Sequence, residues 1–224
     1  MQMEHMDIQA VIFDMDGVIF DSERLYLEYE KKVAQAHQFF NEEEVAKKCI
    51  GVTEEETRRI HMEAHGPGFS YDVFRSEIMA EFEKRADKSI PLKPGVFELL
   101  HFLQQKKLPI AIASSTQTIQ VRAELTDAEI ISFFQHIVGG DQVGRSKPAP
   151  DIFLRAAQKL EKEPQKCLVI EDSHNGIRAA HAAKMIPIMV PDLLEPTKEM
   201  HMLATQILPS LTAVRDYLDQ ALAW

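Results

Sequence analysis

Short apolar runs ended by polar residues recur along the chain, at 10–13, 110–113, 136–138, 168–170 and 186–190. They are rich in Val and Ile and lack the polar alternation of a strand with one wet face, so each predicts a parallel strand buried on both sides. Pro187 fits the last run only if it opens that strand or lies at an edge. Between the runs, at 96–107, 118–128, 151–160 and 177–184, apolar residues return at helical spacing. Strand and helix in alternation predict an α/β fold, a doubly wound, Rossmann-like parallel sheet with helices on both faces.

The stretch 22–88 breaks that rhythm and shows no convincing strand. Leu25, Tyr29, Val33 and Ala36 keep helical spacing, as do Phe74, Ile78 and Phe82. Asn41 reads as an N-cap ahead of Glu42, Glu43 and Glu44, and Gly66-Pro67-Gly68 separates two helices. Residues 21–87 are therefore expected to form a small helical domain inserted into a core built from 1–20 and 88–224. Met1 to Met6 are expected to fray.

Composition narrows the partners. Over 224 residues, 45% apolar content is enough to bury a substantial core, while a formal net charge of −10 works against nucleic acid and anionic membranes. The start is polar and no apolar run approaches a membrane span, so a soluble, cytoplasmic protein is expected, as a monomer or weak dimer. Cys49 and Cys167 are expected to be free thiols. Gly is sparse at nine residues, and long polar residues stand near 38, 129 and 184, where helix ends would favour the left-handed conformation.

In open parallel sheets ligands bind outside the carboxyl ends of the strands. Asp14 and Asp16 follow the first predicted strand, Ser114 the second, Lys147 the third by a short loop, and Glu171 and Asp172 the fourth. Four carboxylates crowd together only if a cation neutralises them, and an all-oxygen donor set favours Mg²⁺. With Lys147 opposite, such a rim suits a phosphoryl group. Asp14 is placed to attack as a covalent nucleophile. Asp16, two residues on, is placed to protonate the leaving oxygen and then deprotonate the attacking water. Gly17 would let the backbone turn away beside the phosphate.

Phe13-Asp14-Met15-Asp16-Gly17-Val18, Ser114, Ser146-Lys147-Pro148 and Glu171-Asp172-Ser173 resemble the four ordered motifs of the haloacid dehalogenase-like hydrolases. The helical insert resembles the cap of their sugar-phosphatase and β-phosphoglucomutase branch. The resemblance implies Ser114 and Lys147 as phosphate binders, with Ser115 beside them. It also implies Mg²⁺ held by Asp14, the Asp16 carbonyl and Asp172, with Glu171 in support. Ser114 and Ser115 also read as helix caps, and Ser173 is the better cap for the helix after Asp172.

The mutase of that branch carries a His shortly after the Asp-x-Asp motif and an Arg after the cap's Gly-Val. Here the matching positions hold Tyr26 and, in Gly51-Val52-Thr53-Glu54, Glu54. A negative Glu54 would repel a second phosphate, which favours hydrolysis of a small phosphorylated metabolite such as a sugar phosphate over mutase chemistry. Tyr26 and a loop over 53–56, with Thr53 and Glu54, are the expected readers of its other end. Dehalogenation has no use for the acid cluster, and a phosphorylatable receiver domain needs neither Asp16 nor a cap. His61 and His65 stand four apart without an apparent third ligand and read as a solvated helix face, while Arg58 and Arg59 either contact substrate or solvate the insert.

Overall fold

The computed structural model describes residues 7–85 and 89–222. The expected fraying of Met1 to Met6 and the 87/88 domain boundary lie outside them. After β1 (Ala10–Phe13) come four helices, α1 (Ser22–Ala36), α2 (Glu42–Cys49), α3 (Glu54–His65) and α4 (Tyr71–Glu83). The chain then alternates through α5 (Val96–Gln105), β2 (Ile110–Ala113), α6 (Thr118–Asp127), β3 (His136–Val138), α7 (Asp151–Lys159), β4 (Cys167–Glu171), α8 (His174–Ala182) and β5 (Ile186–Met189). It closes with α9 (Lys198–Leu203), β6 (Gln206–Ile207) and α10 (Leu211–Ala221).

The six strands form one parallel sheet in the order β3-β2-β1-β4-β5-β6. Because side chains alternate along a strand, each strand feeds two cores. Val11, Phe13, Ile112 and Ile170 pack with Leu99, Leu103, Leu125 and Val214 of α5, α6 and α10 on one face. On the other, Ala10, Ile12, Ala111 and Val169 meet Phe153, Ala156 and Ala180 of α7 and α8. Pro187 is neither first in β5 nor on an edge strand. Its carbonyl accepts from Thr205 on the β6 side, and β6 pairs with β5 only from Ile188 onward, so the missing N–H has no ladder partner to deprive.

The insert has its own apolar centre, with Val33, Phe74 and Ile78 meeting Phe69 and Tyr71. Asn41 does precede α2, but its φ of 64° and lack of a side-chain capping bond replace the expected cap. His61 and His65 also depart from expectation. His61 is 0% exposed and His65 is nearly buried, because both face inward onto Phe39, Phe69 and Phe74 beside Glu42. Burial lowers His61 to about 4 and raises Glu42 to about 7. Arg58 and Arg59 are taken up by Asp72 and by Glu56 and Glu63 on the surface.

Cys49 and Cys167 are free. Gln38, Glu129 and Lys184 have φ of 60°, 58° and 59°, the left-handed region expected there. Each such residue carries strain of about 1 kcal/mol relative to Gly. Lys184→Gly is expected to stabilise the protein by up to about 1 kcal/mol in denaturant unfolding, and unchanged or lower stability would contradict that strain.

Candidate active site

Strand order reverses between β1 and β4, and the acids collect at this switch point, where open α/β sheets bind ligands. The Asp14 N–H extends the ladder past β1 by donating to the Ile170 carbonyl at 3.0 Å, which fixes where its carboxylate starts. Glu171 ends β4 and Asp172 follows it. One oxygen from each of Asp14, Glu171 and Asp172 can be chosen so that all lie within 4.8 Å of one another.

Lys147, buried at the end of the loop before α7, joins two of these acids. Its Nζ donates to Asp14 Oδ1 and, at 2.7 Å, to Glu171 Oε1. The other Glu171 oxygen accepts from the Ser173 N–H at 2.5 Å. Both oxygens are thus engaged, and Glu171 fixes Lys147 against Asp14. Ser173 caps α8 by accepting from the Gly176 N–H.

Burial, then the Glu171 and Asp16 charges, pushes Asp14 up to about 7 despite Lys147. For Lys147, burial works to lower the pKa, but Asp14 and Glu171 together outweigh it and hold the ammonium above its usual range. Asp172 is raised well above its usual range by burial and by Glu23, Glu171 and Asp14. It is 1% exposed, and its Oδ2 has no hydrogen-bond partner. Gly17 has a φ of 75°, and a Cβ there would run into the Asp172 carboxylate, so this turn admits only Gly.

Asp16 is held from two sides. Ser22 Oγ donates to one oxygen at 2.7 Å and Thr116 Oγ1 to the other at 3.1 Å. Ser114 lies beneath the surface and accepts from the Thr116 N–H at 3.0 Å, which leaves its own hydroxyl proton free to donate. Ser115, not Ser114, faces the cavity that joins sheet end to insert. That cavity, about 1330 Å³, is also lined by Asp14, Asp16, Lys147 and Asp172 from the sheet and by Tyr26, Thr53 and Glu54 from the insert.

Two insert residues differ from their sequence reading. Thr53 caps α3 by accepting from the Glu56 N–H at 3.4 Å, so 53–56 is a helix start and not a loop. Glu54 is not a free negative charge, because Arg75 from α4 pairs with it in the cavity wall.

Sequence reasoning missed Ser22, Glu23, Arg75, Thr116 and Asp192. Glu23 and Asp192 can each place an oxygen within 4.8 Å of one on Asp172, and Arg24 and Lys93 engage Asp192 at 2.7 and 2.8 Å. Burial first, and then the Asp16, Asp14 and Asp192 charges, raises Glu23 well above its usual range. Ser22 and Glu23 directly follow Asp21, close enough to the acid motif to have been suspected. The others arrive from distant segments with no local signal. Among the described residues, no helix is long and apolar enough to cross a membrane.

A sequence profile described as haloacid dehalogenase-like hydrolase matches residues 11–190. A phosphorylated carbohydrates phosphatase of Thermotoga maritima is 35% identical over 176 residues, which is 79% of this chain and 82% of that protein. A probable pseudouridine-5'-phosphatase of Drosophila melanogaster is 35% identical over 207 residues, 89% of this chain and 88% of that one. The crystal structure of a putative β-phosphoglucomutase from Thermotoga maritima superposes with a TM-score of 0.75 at 31% identity, covering 95% of this chain and 99% of that one.

Proposed function

This chain belongs to the haloacid dehalogenase-like hydrolase family and is a phosphoric monoester hydrolase, and from that premise we propose that it cleaves a small, singly phosphorylated metabolite through an aspartyl-phosphate on Asp14. The observation that carries this reading is the placement of Asp14 in the lining of a cavity that Asp16 also borders, bonded to Lys147 and close to Asp172, whose Oδ2 lacks a partner. The described part of the insert, residues 21–85, acts as the cap over that cavity.

An Asp14 oxygen attacks phosphorus, and the bond to the leaving oxygen breaks as Asp16 gives that oxygen a proton. Asp16, now a base, takes a proton from the water that attacks the aspartyl-phosphate, which frees inorganic phosphate and restores Asp14. Lys147 and the Ser115 hydroxyl, which face the cavity, bind the phosphoryl oxygens, with Ser114 beneath them holding the Thr116 N–H. Glu171 acts through Lys147, whose position it sets. Tyr26, stacked on Phe82 with ring centroids 6.1 Å apart, and the Thr53–Glu54 helix start border the remainder of the substrate.

A divalent cation fits this donor set. The acids are oxygen-only and buried, Asp172 Oδ2 lacks a partner, and the carboxyls of Asp14 and Asp172 are pushed up by burial and mutual repulsion. We assign Asp14, the Asp16 carbonyl and Asp172 to Mg²⁺, which when bound supplies positive charge to the phosphoryl oxygens. Phosphate release from a panel of sugar, nucleoside and glycolytic monophosphates is expected to need Mg²⁺ and to stop with chelator. Activity undiminished by chelation would contradict the metal assignment.

The electrostatics also set a pH dependence. Asp14, Glu42 and Glu124 at about 7 and Glu30 at about 8, each raised mainly by burial, keep protons that an unfolded chain has released. The folded state binds more protons between about pH 4 and 8, so these groups lose their stabilising effect as pH rises through that window. His61, lowered to about 4, works in the opposite sense, but only below its ordinary value near 6.5. In chelator, the thermal midpoint is expected to fall from pH 6.5 to 8 and to recover partly with Mg²⁺. A midpoint that stays flat or rises in chelator would contradict this account.

A mutase reading draws on Arg75, a cation in the cavity wall. Its pairing with Glu54 leaves that spot without net charge for a second phosphate, which favours water as the acceptor.

A further inference from the structure

The insert contains a cluster of ligating side chains of different chemistry, none of which lines the cavity that Asp14 borders. Glu42 opens α2, and His61 and His65 lie one turn apart at the end of α3. His61 Nδ1 stands 3.5 Å from Glu42 Oε1, and His65 Nε2 stands 3.0 Å from Glu42 Oε2. One ligand atom from each of the three residues can be chosen with all of them within 4.8 Å of one another. Around a tetrahedral ion with bonds of about 2.0–2.1 Å, neighbouring ligand atoms sit about 3.3 Å apart, between the two measured separations.

Burial makes this more than proximity. His61 is 0% exposed, and neither of its ring nitrogens has a hydrogen-bond partner; nor do the two Glu42 oxygens or His65 Nε2. A proton shared between Glu42 and His65 would serve one nitrogen and leave His61 unsatisfied, at the cost that buried orphan polar groups carry. A cation facing all three residues engages Glu42, His65 Nε2 and one His61 nitrogen together. The surroundings are apolar, with Phe39 stacked on His65 at 4.6 Å between ring centroids and Phe69 stacked parallel to His61 at 6.1 Å. Such a shell excludes water and strengthens a charge–ligand interaction.

We propose that Glu42, His61 and His65 bind a borderline-soft transition-metal dication of the Zn²⁺ type, which staples the start of α2 to the end of α3. Two imidazoles and a carboxylate suit that class, whereas Mg²⁺ prefers oxygen donors and retained waters. The site therefore differs in metal preference from the oxygen-only acids at the sheet end. The role is structural. The staple fixes the α2–α3 pair, and the start of α3 carries Thr53 and Glu54 into the cavity wall.

The test uses the full chain, stripped with chelator and then titrated with Zn²⁺ while millimolar Mg²⁺ occupies the oxygen site, with bound metal counted by elemental analysis after dialysis. One Zn²⁺ per chain is expected, with a raised thermal midpoint. Glu42→Gln, close in shape to the native residue, and His65→Gln are each expected to weaken Zn²⁺ binding at least about 100-fold while circular dichroism stays native. Asp172→Asn is expected to retain the Zn²⁺. The proposal is overturned if no Zn²⁺ binds in Mg²⁺, if both insert variants bind it as tightly as the parent, or if Asp172→Asn abolishes binding. Should one insert variant fail to fold, the other decides. Phosphatase activity is not the readout, so this result stands apart from that of the catalytic assignment.

Discussion

Asp14→Asn is expected to lose turnover by at least about 10⁴-fold and to yield no phosphoprotein under acid quench. The amide matches the carboxylate in shape but cannot attack phosphorus. Lys147 keeps its 2.7 Å bond to Glu171, so the substitution does not strand the buried ammonium and the fold should survive. Steady-state phosphate release with circular dichroism as a control measures this directly. Near-normal activity in a folded Asp14→Asn protein would remove Asp14 as the nucleophile.

Asp16→Asn is expected to slow hydrolysis by about 10²-fold to 10⁴-fold, the range ordinary for loss of a general acid/base. The amide can still accept from one of Ser22 and Thr116 and donate to the other, so the residue should keep its place. Mg²⁺ affinity should change little, because the carbonyl and not the side chain is assigned to the metal. With an aryl phosphate, whose leaving group departs without a proton, the first step should persist while water attack on the aspartyl-phosphate stalls. Loss of Mg²⁺ binding in a titration of this variant would contradict the division of roles between carbonyl and carboxylate.

The sheet was legible because its strands are short, wholly buried runs. Three of the five expected strands match residue for residue, since Val and Ile between polar ends leave little choice of boundary. The two-residue β6 carries too little pattern to read. In contrast, α10 shows Leu211, Val214 and Leu218 at helical spacing behind a Ser210 cap, a signal that was present and passed over. Helix α8 begins at His174, directly after the Ser173 cap expected from the sequence, because that cap fixes its start ahead of the first apolar residue, Ile177.

The acids of the candidate site were visible because strand ends can be found from the strands. What surrounds them was not. Thr116 reaches Asp16 across 100 positions of sequence, and Arg75 reaches Glu54 from another helix, pairings that no local spacing encodes. His61 and His65 were misread for the same reason. Their third neighbour, Glu42, comes from a separate helix, and polar residues at inward positions look like a solvated face when only their spacing is known.

The central claim is that phosphate passes through a covalent bond to Asp14, and peptide mapping of acid-quenched Asp16→Asn protein during turnover of an aryl phosphate in Mg²⁺ tests it most directly. The account predicts one phosphoryl group per chain, on the peptide that contains Asp14, absent when Asp14→Asn is added. Continued hydrolysis with no phosphorylated peptide at any quench time, or a phosphoryl group on a different residue, would contradict it.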